Sequence, residues 1–378
     1  MVYISQGNIP SRWAHTFQAM RMASAFSRLV ADFELVTQVH WFRRLLPEPD
    51  WVAWYGLREA FRVVRLVTPG APYRASFRHD RYPVFDRFAA EHARRRGADL
   101  VFTRSIYAAY ETTRLGIPTI LETHSNLEHP DAALLFAALK HENSLGLVTI
   151  TEALAEDYEK AGIDRDSILV WPDAVDLEPY RDLPTRAEAR AQLGLPGDGP
   201  IALYAGHLYP HKGVYTAVDA ARELPEVQFV FVGGWDRDVR RLRARSEELP
   251  NVRLLGFVPN AEVPLHLAAA DVLLLPNSAL DDQARVTSPL KLFEYMAARR
   301  PIVAAAIPAF EGRVVDGRNA ALFRPDDGAD LARVIRQVLD QGEASEKLAQ
   351  QAGDEVESIT WDARARAVLD RFVGQAGA

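Results

Sequence analysis

TSPLKLFEYMAARRPIVAA (287–305) runs from a polar turn into a helix carrying one glutamate, and then into a short apolar strand. That order is one half of a βαβ unit, so the stretch predicts a parallel sheet covered by helices. Thr287, Ser288 and the backbone N–H groups of Leu290 and Lys291 fall at the helix start, where unpaired donors and partial positive charge suit an anion. Glu294 lies about one turn further in, within reach of the vicinal hydroxyls of a ribose. From this segment alone, an ordinary solvated glutamate on an amphipathic helix is an equally good reading.

Working outward, the same alternation fills the chain. Apolar runs predict strands near 2–4, 34–39, 99–103, 118–122, 146–150 and 168–171. A second set follows at IALYAG (201–206), VQFVFVGG (227–234), VRLLG (252–256), DVLLLP (271–276), PIVAA (301–305) and AALF (320–323). Such runs are buried on both faces in parallel α/β sheets. Two doubly wound halves are expected, divided at the Pro/Gly-rich and charged segment YRDLPTRAEARAQLGLPGDGP (180–200). The expected domains are 1–178 and 179–357, with ligands beyond the carboxyl ends of the strands in a cleft between the two sheets.

Length agrees with this division, since 378 residues exceed what one hydrophobic core usually serves. A net charge of −7 offers no general attraction to nucleic acid. With no cysteine, disulfides, thiolate chemistry and cysteine metal sites are excluded. The start, MVYISQGNIPS, reads as strand and turn rather than a signal peptide, and no apolar run reaches the roughly 18–20 residues that span a bilayer. A cytoplasmic protein is expected, at most peripheral at the inner face of a membrane. Only five of the 44 basic residues are lysine, which draws attention to Lys212 and Lys291 in candidate phosphate loops. Residues 41–96 differ from the rest, with twelve arginines against six acids and with Trp41, Phe42, Trp51, Trp54, Tyr55, Phe61 and Phe77 interleaved. This composition reads either as an amphipathic contact for an anionic membrane or acceptor phosphate, or as solvated helices with inward aromatics.

In order, GNIPSRWAHTFQAMRMASAF (7–26), ILETHS (120–125), VTITEALAEDY (148–158), WPDAVDLEPY (171–180), LYAGHLYPHKGV (203–214), VRLLGFVP (252–259), DVLLLPNS (271–278), SPLKLFEYMAARRPIVAA (288–305) and DGRNAALFRPDD (316–327) resemble the family 4 glycosyltransferases. The resemblance covers nearly the whole chain. It implies a GT-B fold of two Rossmann-like domains facing an interdomain cleft, with the C-terminal helix (358–378) crossing back onto the first domain. It also implies retaining, metal-independent transfer of a hexose from a UDP- or GDP-sugar donor to a glycan or lipid-linked acceptor, in polysaccharide or lipopolysaccharide assembly. A sugar-nucleotide epimerase or hydrolase, and a silent nucleotide-sugar-binding homologue, are the alternatives.

Residue by residue, Lys212 matches the family's diphosphate lysine, with Gly206 and Gly213 permitting close backbone approach. Ser288, Pro289, Leu290 and Lys291 resemble the turn that holds the diphosphate. Glu294 matches the second glutamate of the family's E-x7-E pattern, the ribose ligand. The first glutamate falls on Val286, with Asp281 or Asp282 as candidate substitutes, and His207 stands where the family usually has arginine. His124 matches the histidine that meets the donor sugar, and with Lys212 and Glu294 it forms the expected catalytic set. Phe257 and Val258 follow Gly256 where main-chain groups bind the base. Gly7 is an expected phosphate or acceptor contact in the first turn, and Asn8, Ser11, His15 and Arg104 are expected acceptor contacts. The strings Asp164-Arg165-Asp166 and Asp236-Arg237-Asp238 read as surface turns, and no metal or other cofactor is expected.

Overall fold

The computed structural model describes residues 1–39, 50–67, 84–128, 130–280 and 283–374. It divides into two compact units, Met1–Pro172 with Trp361–Ala378, and Asp173–Thr360. The first boundary thus falls after 172 rather than 178, and the C-terminal return begins at 361 rather than 358. Asp173–Thr360 closes on itself through a bridge between Val175 and Thr360.

The first unit contains seven strands: β1 (Val2–Asn8), β2 (Glu34–Val39), β3 (Val63–Val67), β4 (Val101–Thr103), β5 (Thr119–Thr123), β6 (Ser144–Thr149) and β7 (Ile168–Val170). They lie in the order β3-β2-β1-β4-β5-β6-β7, and every pairing is parallel. The order reverses at β1 and β4, the switch point beyond which such sheets bind ligands. Tyr3, Phe26 and Phe102 pack edge-on between the sheet and the Ala14–Leu29 helix, with ring centroids 5.0 to 6.4 Å apart. The Trp361–Phe372 helix belongs to this unit and packs on Ala14–Leu29.

The second unit repeats the plan with β8 (Ile201–Ala205), β9 (Gln228–Val232), β10 (Val252–Gly256), β11 (Val272–Leu275), β12 (Ile302–Ala305) and β13 (Ala321–Phe323). The order is β10-β9-β8-β11-β12-β13, again parallel throughout. Strands β8 and β11 are buried along their whole length, as doubly covered strands must be. One continuous apolar core joins this sheet to its helices.

Two expectations are corrected. The basic stretch 41–96 is not helical throughout, because β3 runs through it at the sheet edge with every residue half-buried. Several of its arginines are also in ion pairs, Arg62 and Arg96 with the buried Glu34, and Arg94 and Arg95 with Glu91. Trp41, Phe42, Phe77 and five of the twelve arginines (43, 44, 74, 78, 81) lie outside the described residues, as do Asp281 and Asp282. The second correction concerns Asp236-Arg237-Asp238, which opens the Asp236–Arg245 helix and buries Asp238 against Arg237 and Arg241. Asp164-Arg165-Asp166 is a turn, in which the Asp164 carboxylate accepts the Asp166 N–H at 3.0 Å. Among the described residues no helix is long and apolar enough to cross a membrane.

Candidate active site

In the second unit the candidate residues gather at the carboxyl ends of β8 and its neighbours, where three glycines close the strands. The Gly206 N–H donates to Val232 O at 2.8 Å and the Gly233 N–H to Gly256 O at 2.6 Å. All three have positive φ, and a Cβ on Gly206 would lie 3.1 Å from the Lys291 ammonium. The glycine therefore leaves room for a cation directly beneath the backbone. Lys291 is 8% exposed, donates to the Tyr204 hydroxyl at 2.6 Å, and has its nitrogen 3.8 Å from the centre of that ring. The phenol passes the polarity on, donating to His207 O at 2.6 Å. Burial pushes the Lys291 ammonium well below its usual range, and Lys212 pushes the same way against the opposing carboxylate of Glu294.

The helix predicted from the opening motif is Leu290–Ala297, capped by the extended Pro289 with no side-chain hydrogen bond. Its first-turn N–H groups, those of Leu290 and Lys291, lie where no preceding helical turn can supply acceptors. Ser288 is occupied differently, because its hydroxyl accepts the Asp173 N–H at 3.0 Å. Glu294 is half-buried in the same helix. Lys212 ends the short Pro210–Lys212 turn, and Gly213 (φ +72) then opens the Val214–Glu223 helix. A Cβ at Gly213 would fall 1.6 Å from Pro276 O, so the end of β11 presses directly on this turn. Phe257 and Val258 follow β10, Phe257 exposed and Val258 half-buried. Val286, at the first position of the E-x7-E pattern, is buried.

Sequence reasoning missed the aromatic setting of His207. Its ring stacks with Tyr209 at 5.1 Å and with Trp235 at 5.9 Å, and Tyr209 continues onto His211 at 5.5 Å. Trp235 Nε1 donates to the Tyr209 hydroxyl at 3.0 Å. Burial, followed by Lys291 and Lys212, lowers His207 to about 4, so the ring is neutral near pH 7. Its Nδ1 is buried without a hydrogen-bond partner among the described residues. The H-x-Y-x-H (207–211) and G-G-W (233–235) spacings were the available signal, but nothing local to either segment says that they meet.

In the first unit, His124 follows β5 and its Nε2 lies 2.7 Å from Glu122 Oε1. Glu122 is fully buried and also receives Gln18 Nε2 at 2.7 Å and Arg364 Nη1 at 2.8 Å. Arg104 belongs to the same group, 3.6 Å from Glu122 and bonded to Gln18 Oε1 at 2.6 Å. Burial alone would raise the Glu122 carboxyl, but Arg364, the His124 hydrogen bond and Arg104 together hold it well below the usual carboxylate range. Of the other first-turn residues, Gly7 is required by packing, since a Cβ would sit 2.5 Å from Thr16 Cγ2. Asn8 ends β1 paired with Gln38, and the exposed His15 ring lies 6.3 Å from Trp13. The Ser11 hydroxyl is 2.9 Å from that of Thr16 and accepts the Trp13 N–H at 3.2 Å, which gives it a local role in shaping the turn.

Two family models match, "Glycosyltransferase Family 4" over residues 18–179 and "Glycosyl transferases group 1" over residues 185–354. The chain belongs to family 4 of the glycosyltransferases. The D-inositol 3-phosphate glycosyltransferase of Streptomyces avermitilis is 30% identical over 236 residues, 58% of this chain and 49% of that protein. The 2-deoxystreptamine glucosyltransferase of Streptomyces kanamyceticus is 28% identical over 242 residues, 60% of this chain and 59% of that protein. The chain thus spans about half the length of the curated relatives it matches. Among solved structures, Anabaena HepE in complex with UDP superposes with a TM-score of 0.76 at 17% identity, covering 99% of both chains. WaaG, a glycosyltransferase involved in lipopolysaccharide biosynthesis, gives 0.72 at 16% identity, also covering 99% of both chains. These likenesses establish the GT-B fold.

Proposed function

We propose that the protein is a retaining hexosyltransferase that takes its sugar from a UDP- or GDP-sugar and passes it to a hydroxyl of a glycan or glycolipid. One observation carries the reading: a buried lysine ammonium, bonded to a neutral phenol rather than to a carboxylate, under a glycine and beside a helix start that has no side-chain cap. A buried cation without a paired anion is costly. A nucleoside diphosphate relieves that cost, and Lys212 and the Leu290 and Lys291 N–H groups add donors where negative charge grows as the leaving group departs. Glu294 then holds the ribose, main-chain groups at Phe257 and Val258 hold the base, and His124 meets the donor sugar. The acceptor oxygen bonds to the anomeric carbon on the face from which the diphosphate leaves. The C–O bond to the diphosphate breaks, and a diphosphate oxygen takes the acceptor proton. UDP bound to HepE supports the choice of nucleotide. Lipopolysaccharide or another polysaccharide is the proposed destination, supported by the fold shared with WaaG.

The lysines and amides supply the positive charge that a metal would otherwise bring, so binding is proposed to be metal-independent. Titration of UDP and GDP into the protein in EDTA tests both points. Retained binding is expected, with Lys291→Met weakening it by roughly 2–4 kcal/mol, whereas a requirement for added magnesium would refute the metal-free reading. Peripheral attachment to an anionic membrane through residues 41–96 is proposed from their basic excess and the exposed Trp54. Flotation should then favour anionic over neutral vesicles and weaken with salt; equal recovery would count against it.

A further inference from the structure

The carboxylate behind His124 has no part in the chemistry above, yet three side chains hydrogen-bond to it. Glu122 lies on β5, two residues before His124, and is met from three other places in the chain: Gln18 on the Ala14–Leu29 helix and Arg364 on the C-terminal helix donate to it, and Arg104 after β4 lies 3.6 Å away as an ion-pair partner. Arg364 is fully buried too, and its Nε donates to Pro172 O at 2.9 Å while Nη1 lies 3.5 Å from Met22 Sδ. A guanidinium with no exposed surface, 242 positions from its carboxylate, is not needed to cap a helix or to hold a surface loop.

We propose that Arg364, acting through Glu122, is a positioning residue that fixes His124 in the tautomer with its proton on Nε2. The 2.7 Å contact between Glu122 Oε1 and His124 Nε2 needs one proton. An ionised carboxylate can only accept, so that proton sits on the imidazole and Nδ1 of the neutral ring becomes the acceptor nitrogen. Remove Arg364 and the same buried carboxyl is driven to protonate. Its O–H then donates to Nε2, and the ring proton moves to Nδ1. The arginine on the returning helix therefore decides which ring nitrogen of His124 carries the proton. Arg104, at 3.6 Å, is a more distant companion charge. The catalytic consequence rests on the reading of His124 as a donor-sugar contact, but the tautomer itself does not.

The test is the nitrogen spectrum of the full chain labelled with ¹⁵N-histidine at about pH 8, above the usual histidine range, with His124 assigned by its loss in His124→Gln. The wild type is expected to show a protonated Nε2 and a bare Nδ1. Arg364→Met is expected to move at least half of the population to the Nδ1–H form, and Arg364→Lys, which keeps the charge, to restore the wild-type pattern. If Arg364→Met does not fold, Glu122→Gln replaces it, since its amide nitrogen can turn to donate to Nε2 and should produce the same switch. A folded Arg364→Met or Glu122→Gln with an unchanged spectrum, or a wild type already in the Nδ1–H form, overturns the proposal. A tautomer that follows Arg364 while His124→Gln leaves donor turnover intact supports the relay and instead removes His124 from the proposed mechanism.

Discussion

A single histidine shows how far one residue departs from its type. His207 stands where the family usually has arginine, and its lowered value of about 4 follows from burial first and then from two nearby lysines. In an unfolded chain the ring titrates near about 6.5, so between these values the unfolded state binds more protons than the folded one. The contribution of His207 to stability therefore falls as pH drops through that window and is complete above it. A bound diphosphate reverses the local field and favours the charged ring. Affinity for UDP is expected to rise as pH falls through the bound-state pKa of His207 towards the free-state value of about 4, once the titration of the nucleotide's own phosphate is subtracted. His207→Arg should flatten that dependence and bind UDP at least as tightly, while the free protein loses stability through a further positive charge beside the buried Lys291 and the half-buried Lys212. Superimposable affinity profiles of the two proteins between about pH 5 and 8 would show that His207 supplies no charge.

Elements were legible where their physics is local. The Leu290–Ala297 helix and β12 follow from a polar turn, apolar spacing and a short β-branched run, all contained in nineteen residues. Strand β3 was not legible: VVRLV is only five residues long, follows Arg62 and holds Arg65, and only pairing with β2 at Leu35 to Val39 makes it a strand. The same limit hid the Glu122 and Arg364 pair, in which a glutamate in an otherwise uncharged, buried strand hinted at a partner but left its identity to tertiary structure. Lys212 and Lys291 were picked out by their turns, whereas the phenol under Lys291 was not, because Tyr204 sits in a strand that reads as plain core. Gly213 belongs with the legible set and permits a test of the turn as an element. Its φ of +72 and the 1.6 Å approach of Pro276 O leave no place for a side chain. Gly213→Ala is expected to cost more than about 3 kcal/mol in urea unfolding, since strain and steric overlap act together, and to abolish nucleotide binding by displacing Lys212. A loss below about 1 kcal/mol would mean that the contact with β11 is easily relieved.

At the scale of the molecule the two units differ in how the chain closes them. The first needs both ends of the sequence, since Trp361–Phe372 supplies Arg364 to Glu122 and packs along Ala14–Leu29, whereas Asp173–Thr360 is one uninterrupted segment. That segment holds a complete six-stranded sheet, one continuous core, and Gly206, His207, Lys212, Lys291 and Glu294. Its size lies within the range in which single domains fold alone. A fragment of residues 173–360 is therefore expected to unfold cooperatively and to bind UDP within about tenfold of the full chain, or roughly 1.4 kcal/mol. The converse deletion, removing 361–378, strands a buried carboxylate at Glu122, and losing one partner of a buried ion pair costs about 3–5 kcal/mol. Scanning calorimetry of that truncation should show the transition of the first unit lowered or lost while the transition protected by UDP persists. A fragment 173–360 without a cooperative transition, or one that folds but binds UDP a hundredfold more weakly, would place part of the nucleotide's binding energy outside the second unit.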